Sequence, residues 1–366
     1  MQPDKATRPA RPEDWSAAPA TALPAVASGG TLAGASAGAP VAATAPVVAD
    51  APAPLGTGGR RRLGVPTWLT LLLSNPLSAI GIAVLIVFVL AAIFAPLLTP
   101  YDPNDIGSGL QFQPPGPGHP FGTDYSGDDV FTKVLYGARV SLVIGAVAGF
   151  VATFLSIVVG LVSGYLGGLT DDILSLVMNI FLVIPQLPLL LVFSAYVPVK
   201  GSLAIIIVIS ITGWAWGARV MRAQTLSLRN RDFVQAAYMS GESTPRIIFT
   251  EIMPNMISLI VSSLIFAVIG AIFTDAALEF LGLGDASVVS WGTILRSAQQ
   301  YAALTSGRWW NFLFPGLAIA LTVTACVFIN YGIDTISNPR LRTIKVGKAY
   351  RKAAKAATAN ARTGAA

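Results

Sequence analysis

The chain has 366 residues, of which 54% are hydrophobic and 11% charged, with a net charge of +6 and a mean hydropathy of +0.66. Soluble domains carry about 25% charged residues. This composition, with its long uncharged runs, excludes an ordinary soluble protein and predicts an all-α integral membrane protein. With one cysteine, Cys326, and one histidine, His119, an intrachain disulfide and a multi-histidine metal site are also excluded.

Residues 1–62 are rich in Ala, Pro, Gly, Ser and Thr, and no charge occurs between Asp14 and Asp50. Such a segment cannot bury enough apolar surface to offset the entropy lost on ordering. We predict a disordered tail. The first thirty positions contain no unbroken apolar core of about 7–15 residues, so we do not interpret the tail as a signal peptide.

Six long uncharged runs follow, each near the ~20 residues that cross a hydrocarbon core of about 30 Å. They are Leu77–Leu98, Val140–Ser163, Leu174–Val197, Ser202–Ala218, Met256–Phe273 and Phe312–Gly332. Ahead of them, Trp68 and several leucines beside Pro66 predict an interfacial helix. Residues 63–118 then hold this segment, the first of six transmembrane helices and the start of an outer loop.

The distribution of Lys and Arg predicts the orientation of these spans. The segments assigned to the inside carry six, five and eight of these residues, whereas the outer loops together carry five. Because cytoplasmic loops are enriched in Lys and Arg, we expect both termini to be cytoplasmic.

Two features of the spans predict how they pack. Small residues recur at four-residue spacing in and after span two, which favours close helix contact within the subunit or at a subunit interface. They are Gly145, Gly149, Gly160, Gly164 and Gly168. Pro185 and Pro188 interrupt span three and predict a kink, either static or part of a gating motion.

The inner loop between spans four and five carries the most specific pattern. Gln235, Ala236 and Ala237 fit a short helix that Gly241 can end in a left-handed conformation. Pro254 then marks the entry to span five. Small side chains at positions 236 and 237 would let the surface of another protein approach the backbone closely.

This loop resembles the Glu-Ala-Ala loop of ATP-binding-cassette (ABC) importer permeases, with Gln235 in place of the Glu and Met253 in place of a Leu. In that family the loop is a coupling helix that docks in a groove of a cytoplasmic ATPase. The resemblance assigns coupling to Gln235, Ala236, Ala237, Gly241 and Pro254.

Further motifs agree in order and spacing. They are His119–Asp124 before span two, Phe280–Gly284 after span five, Phe314–Ile319 in span six and Asn338–Arg342 after it. Together they resemble the second permease subunit of the dipeptide, oligopeptide and nickel importers, over residues 66–342. The resemblance implies a type I ABC importer permease fold in the bacterial inner (plasma) membrane. It places a permease domain at 119–338, a coupling loop at 219–254 and a basic cytoplasmic tail at 339–366.

The chain contains no Gly-x-x-x-x-Gly-Lys-Ser/Thr phosphate loop. We therefore expect no cofactor and no catalytic residue in this chain, with ATP and Mg²⁺ bound by partner ATPase subunits. The other implied partners are a second homologous permease, an extracytoplasmic solute-binding protein and the lipid bilayer, with no nucleic acid. The expected function is peptide import.

The sequence departs from the family pattern at Asp128, where Arg is usual, and at Glu279, where Ser is usual. We interpret both as solvated loop charges, with contact to a binding protein or a cationic solute as the alternative. Polar groups inside the spans are candidates for lining the pathway. They are Asn179, Gln186, Asn330 and Asp275, the last of which is either part of the pathway or simply hydrated near the membrane surface.

Three other functions are compatible with a six-span protein. An ion-driven secondary transporter would need charged or broken-helix ion sites at mid-membrane. A membrane enzyme would need a cluster of catalytic groups within the spans, and neither pattern is evident. An importer of the same fold for nickel or another small solute stays open.

Overall fold

The computed structural model describes residues 72–73, 75–103, 107, 109–197, 201–285 and 287–337. The tail 1–62, most of the interfacial segment and the basic tail 339–366 lie outside these residues. The described residues form helices and two isolated bridges, and none of them forms a β-strand.

Eleven α-helical segments are described. They are α1 Pro76–Ile93, α2 Ala95–Leu98, α3 Val130–Leu166, α4 Gly168–Val183, α5 Gln186–Tyr196, α6 Ser202–Leu228, α7 Asp232–Met239, α8 Thr244–Arg246, α9 Ile257–Phe280, α10 Trp291–Gln300 and α11 Trp310–Ser337. A π-helix, Ile247–Ile252, and a 3₁₀ helix, Met253–Met256, join α8 to α9.

Five helices of the described chain are long and apolar enough to cross a membrane, and a bent pair brings the number to six if it counts as one span. Five of the predicted spans therefore correspond to membrane-long helical segments. The predicted first span, Leu77–Leu98, covers α1 and the separate short α2, and the predicted fifth lies in the segment Thr244–Phe280, which includes the π and 3₁₀ turns. The predicted third span, Leu174–Val197, is instead α4 and α5, bent by 100°. The break falls at Pro185, because its ring excludes a continuous helix and its nitrogen carries no hydrogen.

Several helices extend beyond the predicted apolar runs because capping, and not hydropathy, ends a helix. Helix α3 begins ten residues before the predicted Val140, where the Asp129 carboxylate accepts a hydrogen bond from the Thr132 amide at 2.8 Å. It ends at Gly167, which adopts φ 69°. Helix α6 continues to Leu228, so the coupling loop predicted at 219–254 contains only residues 229–243 between its flanking helices.

Helix α3 forms the centre of the packing. It lies along α6 and α9, while α1 packs against α11. Four of the predicted small residues face these neighbours: Gly145 and Gly149 lie against α9, and Gly160 and Gly164 against α6. Packing within the subunit is thus confirmed for these four, whereas a side chain at Gly168 would meet no atom within 4 Å.

Candidate functional site

Helix α7 is held to the membrane helices by one buried side chain. Val234 is 2% exposed and packs in an apolar cluster drawn from α3, α6 and the π-helix. The buried members are Leu161, Met221, Ile247, Ile248, Ile252 and Met256. A force applied to α7 would therefore reach α3, α6 and the start of α9 through direct van der Waals contact.

Gly241 ends α7 in the predicted left-handed conformation, with φ 78°. Its amide donates to the Tyr238 carbonyl at 3.0 Å, and the Glu242 amide donates to the Ala237 carbonyl at 3.2 Å. These two bonds define a Schellman motif. A side chain at position 241 would meet no atom within 4 Å, so the backbone angle alone requires glycine here.

The outward face of α7 combines small and apolar side chains. Gln235 and Ala236 are exposed, Ala237 is half-buried, and the Tyr238 and Met239 side chains at the tip are 64% and 83% exposed. The Gln235 carboxamide donates to the Arg229 carbonyl at 3.3 Å. Helix α7 thus exposes an apolar tip, and its small side chains leave the backbone open to close approach by a partner surface.

Pro254 makes the helical segment that leads into α9 irregular. Its missing amide hydrogen and its ring exclude regular α-helical bonding to the preceding turn. The chain instead forms the π-helix before it and the 3₁₀ helix around it. The Asn255 side chain donates to the Glu251 carbonyl at 2.6 Å, which satisfies one acceptor in the irregular turn.

The four predicted pathway residues do not converge on one site. Asn179 is exposed and accepts a hydrogen bond from the Arg219 guanidinium at 2.5 Å. Asn330 is buried, and its side-chain oxygen has no hydrogen-bond partner among the described residues. Asp275 is fully buried beside Ser141 and Glu279, which contradicts a merely hydrated position. Gln186 lies at a cavity.

That cavity lies between α3, α6 and α9, with Gln186 contributed by the start of α5. Its polar side-chain groups are hydroxyl groups, the Gln186 carboxamide and the Trp216 indole N–H, and none of its described lining residues is charged. The hydroxyl-bearing members are Thr153, Ser156, Ser263 and Thr274. Sequence reasoning missed them because single small polar residues within apolar runs give no periodic signal.

The interpretation of Asp128 and Glu279 as solvated charges is wrong. Asp128 is 5% exposed and pairs with the Lys133 ammonium at 2.6 Å, which also pairs with Asp124 at 2.5 Å. Glu279 is 1% exposed and accepts a hydrogen bond from the Ser290 hydroxyl at the N-terminus of α10. A carboxylate there complements the helix dipole.

The fold and these features define a multi-span, all-helical membrane protein with an anchored surface helix. The family model for the binding-protein-dependent transport system inner membrane component matches residues 156–343. The model for the N-terminal TM domain of oligopeptide transport permease C matches residues 68–115. The chain belongs to the family of binding-protein-dependent transport system inner membrane components, which are transport subunits and not catalytic ones.

Curated relatives cover most of the chain. The oligopeptide transport system permease protein OppC of Bacillus subtilis (strain 168) is 34% identical over 270 residues, which are 74% of this chain and 87% of OppC. A putative peptide transport system permease protein of Brucella suis biovar 1 (strain 1330) is 36% identical over 264 residues, 72% of this chain and 88% of that protein. The dipeptide transport system permease protein DppC of Bacillus subtilis (strain 168) is 34% identical over 269 residues, 73% of this chain and 83% of DppC. In a weaker likeness, a chain of the inward-facing MetNI methionine ABC transporter has a TM-score of 0.46 at 19% identity, covering 56% of this chain and 94% of that one.

Proposed function

We propose that this chain is one of two permease subunits of an ABC importer that takes up peptides across the bacterial inner membrane. The observation that carries this function is the anchored helix α7, whose Gly241 turn and exposed face match a docking element for a partner ATPase. The peptide cargo is supported by the names of the relatives at 32–36% identity, which are peptide, oligopeptide and dipeptide permeases.

In this proposal ATP and Mg²⁺ bind to separate ATPase subunits, and a solute-binding protein delivers the peptide from outside. Both termini lie in the cytoplasm, and residues 119–338 form the permease domain between the tails 1–62 and 339–366. Closure of the ATPases would push α7, and the Val234 cluster would pass that motion to α3, α6 and α9. Gln235, Ala236, Ala237, Gly241 and Pro254 are the proposed coupling residues.

The test replaces Gly241 within the assembled importer. A valine at this position must adopt a positive φ, which costs a β-branched residue about 1–3 kcal/mol, whereas asparagine tolerates that region well. We expect Gly241→Val to abolish uptake of a labelled peptide while the complex still assembles and hydrolyses ATP. Gly241→Asn should retain most of the uptake.

Uptake should stop on ATP depletion and continue in the presence of an uncoupler, and an excess of nickel should not compete with the peptide. Normal uptake in the valine variant would contradict the role given to α7. Failure of the wild-type complex to import any peptide would contradict the cargo.

A further inference from the structure

The cavity that contains Gln186 lies at the middle of its helices. Its lining runs from Ala152 to Ser156 in α3, from Ile209 to Gly217 in α6 and from Ser263 to Thr274 in α9. Each stretch is central in a helix of 24 to 37 residues. The cavity is therefore at the depth where a crossing solute is furthest from water on either side.

A broken helix adjoins the cavity at the same place. Helix α4 ends at Val183 and α5 begins at Gln186 after a 100° bend. Helix ends leave backbone groups without intrahelical partners, and such groups are tolerated at membrane depth only inside protein or beside a water-filled space. In secondary transporters, helix breaks of this kind lie beside solute sites near the middle of the membrane, and the same backbone chemistry is available here.

Two aromatic rings stand among the lining residues. Trp216 of α6 and Phe266 of α9 are 56% and 47% exposed in this chain, with ring centroids 6.5 Å apart. Within the described chain the Gln186 carboxamide makes no hydrogen bond, and it is exposed beside them. The cavity therefore opens at the surface of this chain on the side of these three residues.

Two of the lining hydroxyl groups, those of Thr153 and Ser156, are placed to act as hydrogen-bond acceptors. The Thr153 hydroxyl donates its proton to the Gly149 carbonyl at 2.7 Å, and the Ser156 hydroxyl donates to the Trp214 carbonyl at 2.6 Å. Because each proton is used by the backbone, the hydroxyl oxygens keep their lone pairs for a ligand. A matching ligand supplies N–H donors and needs no opposite charge.

Two glycines in the lining leave space and make no close helix contact. A β-carbon on Gly270 would meet no atom within 4 Å, and one on Gly213 would meet only the Ala152 side chain at 3.9 Å. By contrast, a β-carbon on Gly149 would lie 2.7 Å from the Val268 amide. Gly213 and Gly270 thus widen the cavity, and packing does not require them.

We propose that this cavity is the contact site for the transported peptide on this subunit, and that it binds the peptide's main-chain amide groups without reading side-chain charge. Peptide main chains present an N–H donor and a C=O acceptor at nearly every residue, which matches an uncharged lining that contains hydroxyl acceptors, the Gln186 carboxamide and the Trp216 indole N–H. This inference rests on the function proposed above and names the site and the mode of recognition.

The first test fills the cavity. Gly270→Leu adds a bulky side chain to the cavity lining at a position where a β-carbon meets no atom within 4 Å, and Gly316→Leu makes the same change in α11, where a β-carbon also meets no atom within 4 Å. Uptake of a labelled tripeptide by the full importer should fall about tenfold or more in Gly270→Leu. Complex assembly should be unchanged, and Gly316→Leu should import at the wild-type rate.

The second test measures whether the cavity distinguishes peptides by the charge of their side chains. Gln186→Glu places a carboxylate in the otherwise uncharged lining, and Gln186→Leu removes the polar group. In Gln186→Glu the uptake of a Glu-containing peptide should fall about tenfold relative to its Lys-containing counterpart. In wild type and Gln186→Leu the two peptides should be imported at similar rates when the binding protein is saturated.

The third test uses thiol labelling. Cys326 is the one cysteine of the chain and is buried. Cys326→Ala therefore supplies a background in which this chain has no cysteine. Gly270→Cys should react with a charged, water-soluble thiol reagent, and peptide with ATP should slow that reaction. Gly316→Cys should not show this protection.

If wild type imports peptides but Gly270→Leu does so equally well, or Gly270→Cys is not protected, the cavity is not the peptide site and the proposed function stands. If wild type imports no peptide, the proposed function fails first.

Discussion

One ion pair connects three of the membrane helices. The Arg222 guanidinium of α6 makes two hydrogen bonds of 2.6 Å to the Asp171 carboxylate in the first turn of α4. The hydroxyls of Ser163 and Ser175 donate to the same carboxylate at 2.6 and 3.1 Å. The side chains of Asp171 and Arg222 are only 16% and 29% exposed, so this pair is less screened by solvent than a surface pair.

We expect Asp171→Asn to destabilise the subunit by about 1–3 kcal/mol, because a charged carboxylate that accepts four hydrogen bonds is replaced by a neutral group. Thermal unfolding of the purified complex should show a Tm lower by several degrees. Asp172→Asn is the matched control, since Asp172 is exposed and forms no ion pair within the described chain. Equal Tm values for the two variants would contradict a structural role for Asp171.

The sequence predicted individual residues well where the backbone itself imposes the constraint. Gly241 is such a case, since a helix followed by glycine indicates a left-handed turn. The prediction from the sequence failed at Asp128 and Glu279, because a charged residue between apolar segments is interpreted as solvated when its partner is not known. The partners Lys133 and Ser290 lie in other segments, and only the folded chain brings them to the carboxylates.

At the scale of helices, glycine allows α3 and α9 to approach closely. The β-carbon of an alanine at position 149 would lie 2.7 Å from the backbone nitrogen of Val268 and 2.8 Å from its α-carbon. Backbone atoms cannot move aside as a side-chain tip can, so the helices would have to separate.

We expect Gly149→Ala to reduce severely the amount of folded and assembled subunit, because overpacking of this kind costs about 1–3 kcal/mol or more. Gly316→Ala should have no such effect, because it makes the same chemical change where no atom lies within 4 Å. Size-exclusion profiles of the solubilised complexes and their melting temperatures would compare the two. A normal profile for Gly149→Ala would show that the contact between α3 and α9 is looser than described.

Hydropathy predicted the number of apolar segments but not the shape of the third. Pro185 and Pro188 indicated a kink, yet the observed bend is 100°, because helix α4 ends completely before Pro185 and α5 starts anew. The cavity was beyond sequence reasoning for a related reason. Its lining comes from four helices, and their relative rotation depends on packing that no single segment specifies.

At the scale of the whole molecule, the proposed orientation places both termini and α7 on the cytoplasmic side. Leu304 is 60% exposed. In the Cys326→Ala background, Leu304→Cys should therefore react with a membrane-impermeant thiol reagent on intact cells. A cysteine at exposed Thr170 should react only after the membrane is opened. The reverse pattern would invert the orientation derived from Lys and Arg.

The π-helix at Ile247–Ile252 has a consequence for how α9 meets the cavity. A π turn contains one residue more than an α turn, and each helical residue rotates the chain by about 100°. The residues that α9 contributes to the cavity, from Ser263 to Thr274, therefore take their angular position from this widened turn together with the tighter 3₁₀ turn that follows it. Removing one residue from the π turn would change the rotation of α9 by about 100°, so the irregular turn before α9 sets which of its faces lines the cavity.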